Sequence, residues 1–116
     1  MNVFHFTDKA GWNAIRSQVV WRFLASQPPA KDRPVGAYFT TIEPTPQNLR
    51  TLHKRIRVPK AKQEFVFWFV GTAGLQQRND GRGRDRWILF SPVDYAVEEK
   101  RQRKSDATDV VMGGFA

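Results

Sequence analysis

The run Phe65-Val66-Phe67-Trp68-Phe69-Val70 constrains the fold more than any other stretch of this chain. It follows Glu64 as almost continuous apolar and aromatic sequence, without the polar alternation of a half-solvated strand. Such a run belongs to a strand buried on both faces. Aromatic residues make up 13% of the chain, with four Trp and nine Phe, so a core can form from few side chains. At 116 residues and 41% apolar content, the chain is long enough for one folded domain and too short for two.

Other elements follow from local pattern. Val3 to Phe6 is a strand that ends at Thr7-Asp8, where either side chain can cap a helix over Lys9–Arg16. Trp12 and Ile15 fall on one face of that helix. Val19 to Leu24 reads as a second strand. Ser26 to Pro34, with three prolines, is a loop leading into a strand that contains Tyr38. Thr45-Pro46 starts a second helix, whose buried stripe is Leu49, Leu52 and Ile56 and which Pro59 ends. Gln76 to Arg86 reads as a polar loop and Trp87 to Phe90 as the next strand. Pro92 disfavours a regular central strand beyond it. From Glu98 to Asp109 the chain is charged and poor in apolar residues, which predicts a weakly packed tail.

Composition removes several chemistries. Cysteine is absent, and with it disulfides, thiolate nucleophiles and thiolate metal sites. The two histidines, His5 and His53, are far apart and no HExxH is present, so no metal site is expected. Neither a G-x-S-x-G elbow nor a phosphate loop of the G-x-x-x-x-G-K type occurs. No stretch approaches a membrane span, and the N-terminus lacks the charged and apolar regions of a signal peptide. A cytoplasmic site of action, without membrane association, is expected. The chain is read either as a compact whole protein or as the effector domain of a longer one.

The candidate binding residues lie in two strand-end motifs, His5-Phe6-Thr7-Asp8 and Gly36-Ala37-Tyr38-Phe39-Thr40. His5 can exchange hydrogen bonds with ribose hydroxyls. Tyr38 offers a flat face for an aromatic ring, and Gly36 lets backbone come close to a ligand. A histidine on a strand running into a helix, followed about thirty residues later by Gly-x-Tyr-Phe-Thr, resembles the small His-Tyr-Asp type of NAD-dependent ADP-ribosyltransferase. These occur mostly as bacterial toxin domains, and the poly-ADP-ribose polymerases and rifampin ADP-ribosyltransferases share the arrangement. The late segments Gly71-Thr72-Ala73-Gly74-Leu75 and Gly83-Arg84-Asp85-Arg86-Trp87-Ile88-Leu89-Phe90 are similar to late strands of the same group.

The resemblance implies an α+β fold: a split β-sandwich of two small, mostly antiparallel sheets, with short helices at Asp8–Ser17 and Pro46–Arg57 outside. It implies a catalytic domain over residues 1–98 and a charged tail over 99–116. NAD would be bound by His5, Phe6, Thr7, Gly36 and Tyr38: His5 on the adenosine-side ribose, the Phe6 backbone on the nicotinamide amide, Thr7 supporting His5 or the same ribose, and Tyr38 stacked on nicotinamide. The catalytic set would be His5, Tyr38 and an acid on the nicotinamide ribose. Asp85, directly before a late strand, takes that place, with Asp80 and then Asp94 as alternatives. The chain lacks a Gln-x-Glu or Glu-x-Glu acceptor motif, which argues against the arginine-modifying branch and leaves the acceptor unspecified.

The formal charge of +8 calls for acidic partners. Arg50, Lys54 and Arg55, with Arg82 and Arg84 of an arginine-glycine loop, are the candidate surface for a macromolecular acceptor or an acidic inhibitor protein. A monomer is expected. Two other functions fit the same sequence: an RNA 2′-phosphotransferase-like NAD enzyme, and a small basic nucleic-acid-binding domain in which His5 and Tyr38 are structural.

Overall fold

The computed structural model describes residues 1–26, 34–44, 65–78 and 88–103. The expected helix over Pro46–Arg57, the arginine-glycine loop with Asp80 and Asp85, and the basic residues Arg50, Lys54, Arg55, Arg82 and Arg84 lie outside these described residues. Within them the chain is mostly sheet with one α-helix, an α+β architecture.

Strands β1 (Asn2–Thr7), β3 (Ala37–Thr40), β4 (Phe65–Val70), β5 (Gln76–Arg78), β6 (Ile88–Ser91) and β8 (Gln102–Arg103) form a six-stranded sheet in the order β5-β6-β3-β1-β4-β8. Strands β2 (Trp21–Phe23) and β7 (Tyr95–Val97) form a separate two-stranded ribbon. Every registered pair is antiparallel. The large sheet is unevenly joined. Strand β1 pairs with β4 along its whole length, from Asn2 opposite Val70 to Thr7 opposite Phe65. Toward β3 it is registered only at Phe4, opposite Thr40.

Side-chain alternation along these strands builds the core. Val3, Ala37, Phe39, Phe67, Phe69 and Leu89 of the large sheet meet Trp21, Phe23, Tyr95 and Val97 of the ribbon. Phe67 and Phe69 are 1% and 0% exposed on this side, and Val66, from the other side of β4, is 1% exposed. Strand β4 is therefore buried on both faces, as its composition requires. Each fully buried Phe contributes about 2 kcal/mol from water exclusion alone.

Helix α1 (Lys9–Ile15) closes one flank of this core. Asp8 caps it, accepting a hydrogen bond from the Gly11 N–H at 2.9 Å. A cap of this kind is worth about 1 kcal/mol, which matters for a helix of two turns. Trp12 then stacks on Phe65 with ring centroids 5.1 Å apart and packs on Phe67 at 4.8 Å. A Cβ at position 11 would overlap the Thr7 hydroxyl, so Gly11 lets the helix settle against the end of β1.

Three elements depart from the sequence pattern. Gln76–Arg78, expected as loop, is a strand at the edge of the large sheet, paired with β6. The turn at Pro92 is followed at once by β7, which is buried at Tyr95 and Val97. Residues 99–103 are packed rather than loose: a single 3-10 turn over Glu99–Arg101 leads into β8 on the edge of β4.

The polar side chains of that last segment explain its order. Arg101 donates from Nε to the Val70 carbonyl at 2.9 Å and from Nη2 to the Gly71 carbonyl at 2.8 Å. It also donates to the Tyr95 hydroxyl at 2.8 Å, and that hydroxyl donates to the Ala73 carbonyl at 2.5 Å. Gln102 donates to the carbonyls of Val19 at 2.7 Å and Val97 at 3.0 Å. A charged segment thus fastens the end of β4 to the ribbon through main-chain acceptors, a role hydropathy does not reveal.

Candidate functional site around His5 and Tyr38

His5 follows Phe4, which pairs with Thr40 as the registered β1–β3 pair among the described residues. The imidazole reaches toward β3, with Nδ1 placed 2.9 Å from the Tyr38 carbonyl oxygen. A carbonyl can only accept, so Nδ1 carries the proton. In the neutral ring Nε2 then holds a lone pair.

Burial keeps the ring neutral. The pKa of His5 is lowered from the ordinary 6.5 to about 4, chiefly by removal from water, with the Tyr38 carbonyl acting in the opposite direction. The surroundings are aromatic: the Phe23 ring lies 4.6 Å away and the Phe39 ring 5.3 Å away, each tilted by about 50°. At neutral pH, His5 is therefore a hydrogen-bond acceptor at Nε2 and no cation.

Tyr38 comes from the adjoining strand and faces the other way. Alternation along β3 sends Phe39 into the core beside His5, while the Tyr38 ring packs on Phe90 with centroids 5.1 Å apart. Its hydroxyl donates to the Pro34 carbonyl at 2.6 Å. The two residues are joined through main chain, and their rings lie on opposite faces of the sheet. Phe90 stands opposite Tyr38 in the β3–β6 register, which holds the ring half-buried at a fixed height.

The flanking residues have local reasons for their identity. Phe6 is buried, and it stands opposite Val66 in the β1–β4 register. Thr7 is buried under α1. At Gly36 a Cβ would overlap the Phe90 ring and the Ser91 carbonyl, so glycine is demanded there by the chain's own packing. Gly36 also exchanges two main-chain hydrogen bonds with Ser26, at 3.1 and 3.0 Å, and these join the end of β2 to the start of β3.

Of the three candidate acids, Asp94 alone is among the described residues. It is exposed, and its Oδ1 accepts the Ala25 N–H at 2.8 Å, tying the β6–β7 turn to the end of β2. That is a fastening role. Sequence pattern does not point to two aromatic residues at this site, Phe23 and Phe39, whose rings set the environment of His5. The Trp21-Arg22-Phe23 alternation marks Phe23 as inward-facing, but nothing in it names the histidine as its neighbour.

Comparison of the chain with protein-family models, with curated proteins and with solved structures finds no match. Among the described residues, no helix is long and apolar enough to cross a membrane.

Proposed function

We propose that this chain is an NAD-dependent mono-ADP-ribosyltransferase that modifies a macromolecular target, as a toxin or effector domain. The observation that carries this reading is the hydrogen bond from the His5 imidazole to the Tyr38 carbonyl. It brings side by side, on neighbouring strands of one sheet, the two motifs on which the resemblance rests.

The chemistry breaks the bond between nicotinamide and its ribose, whose electron pair leaves with nicotinamide, while the acceptor gives up a proton and takes the ribose carbon. The residues fit the parts of NAD unequally. A neutral imidazole with its lone pair at Nε2 accepts from a ribose hydroxyl, and it offers nothing to a pyrophosphate. The phosphates fall instead to the arginine-glycine residues Arg82 and Arg84. The resemblance assigns the Phe6 main chain to the nicotinamide amide and the Tyr38 ring to the stack, which requires the dinucleotide to reach past the strands to the face opposite the His5 ring. Asp85 is the acid that stabilises the developing ribosyl cation, with Asp80 the alternative.

Isothermal titration with NAD and a nicotinamide-release assay test the proposal together. Binding that disappears in His5→Ala and Tyr38→Ala, with slow nicotinamide release by the wild type, supports it. No binding to the wild type leaves the basic nucleic-acid-binding function in its place.

A further inference from the structure

We infer that Phe23, delivered by the ribbon, is a positioning residue for His5: it holds the imidazole so that Nε2 meets the ligand as an acceptor. For the identity of the ligand, this inference rests on the reading above.

One hydrogen bond does not fix a ring. The Nδ1–H bond to the Tyr38 carbonyl anchors one corner of the imidazole and leaves its plane free to swing. Two aromatic contacts supply the missing restraint. His5, Phe23 and Phe39 form a closed triangle of rings, with centroids 4.6, 5.3 and 5.3 Å apart, and Phe23 meets Phe39 nearly edge-on at 87°. Phe39 and the Tyr38 carbonyl both belong to β3. Phe23 belongs to β2, so it alone of the three comes from the other sheet.

Phe23 is itself rigidly held. It is 1% exposed, stands opposite Tyr95 in the ribbon, and packs on Phe67 and Phe69. Three residues further on, Ser26 is hydrogen-bonded to Gly36, one residue before β3 begins. The ribbon is thereby registered against the strand that carries the other two restraints. Removing the Phe23 ring opens a path for the imidazole to turn, and a turned ring can exchange its proton to Nε2 and lose the acceptor.

The test uses nitrogen-15 NMR of the histidine ring in the intact chain, together with NAD titration. Phe23→Leu retains apolar bulk and removes the ring; Phe23→Met, closer in length, is the second variant if the first does not fold. Phe4→Leu is the control, a buried aromatic on the other face of the sheet that stacks on Trp68, outside the His5–Phe23–Phe39 triangle. In the wild type the Nδ1–H form is expected at neutral pH. In the folded Phe23 variant the Nε2–H form should rise and NAD affinity should fall about fivefold, the equivalent of one lost ring contact. Phe4→Leu should lower stability while leaving the His5 tautomer as it is. The inference is overturned if a folded Phe23 variant keeps the wild-type tautomer, or if Phe4→Leu shifts it equally. If the tautomer responds to Phe23 but the wild type binds no NAD, positioning stands and the proposed activity falls.

Discussion

The His5 imidazole donates from Nδ1 to the main-chain carbonyl of Tyr38 at 2.9 Å, one residue past the Phe4–Thr40 pair of β1 and β3. Because the acceptor is a carbonyl, the bond survives any substitution of the Tyr38 side chain. The two residues can therefore be probed separately: His5 variants break the link between strands, and Tyr38 variants remove only the ring and hydroxyl.

The buried imidazole gives a pH signature. Its folded pKa of about 4 lies below the ordinary 6.5, so between these values the unfolded chain holds a proton that the folded chain does not. Stability from this group is complete above about pH 6.5, declines as pH falls toward 4, and changes no further below that. The gap corresponds to about 3 kcal/mol. Urea unfolding at pH 4.5 and pH 7 should show wild type losing about 2–3 kcal/mol more than His5→Gln. Parallel losses in the two proteins would mean that the ring is charged or exposed in the folded state.

Gly36→Ala should destabilise the fold by about 1–3 kcal/mol, since the added methyl group meets the Phe90 ring and the Ser91 carbonyl. Thermal unfolding measures it. The same variant displaces Phe90 from beneath Tyr38, so a loss of NAD affinity should accompany the lower melting temperature.

Arg101→Met removes three hydrogen bonds, two of them to the carbonyls that end β4. A loss of about 2–4 kcal/mol is expected, because those acceptors are left without a charged donor. A chain truncated after Glu98 loses Gln102 as well and should melt at least about 10 °C lower. Unchanged unfolding of the truncated chain would restore residues 99–103 to the role of a tail.

The candidate acids separate by what each variant damages. Asp85→Ala should cost about 100-fold in nicotinamide release with NAD affinity nearly kept, as for a group felt mainly in the transition state. Asp94→Ala should instead cost about 1 kcal/mol of stability through the lost bond to Ala25, with turnover retained. A larger turnover loss in Asp80→Ala or Asp94→Ala than in Asp85→Ala would move the assignment to that residue.

What the sequence made legible is what its apolar pattern controls. The strands around His5, Tyr38 and Phe67 and the capped start of α1 at Asp8 follow from runs of apolar residues and one capping side chain. Strands β5 and β8 escape because each is a short polar edge, Gln76-Gln77-Arg78 and Gln102-Arg103, held by a single neighbour. Strand β7 is masked by the Pro92 turn before it. The site divides along the same line. His5 and Tyr38 stand out as residue types in motifs, whereas the hydrogen bond between them ends on a main-chain carbonyl 33 residues away, which no side-chain pattern encodes. The Phe23 contact depends on how the ribbon folds over the sheet, and that is a tertiary fact.

The most direct measurement is calorimetric titration of NAD into wild type, His5→Ala and Tyr38→Ala, with circular dichroism to show that all three are folded. Saturable binding to the wild type and none to either variant is the expected result. Folded variants that bind NAD as well as the wild type does, or a wild type that binds none, would contradict the assignment of this site to NAD.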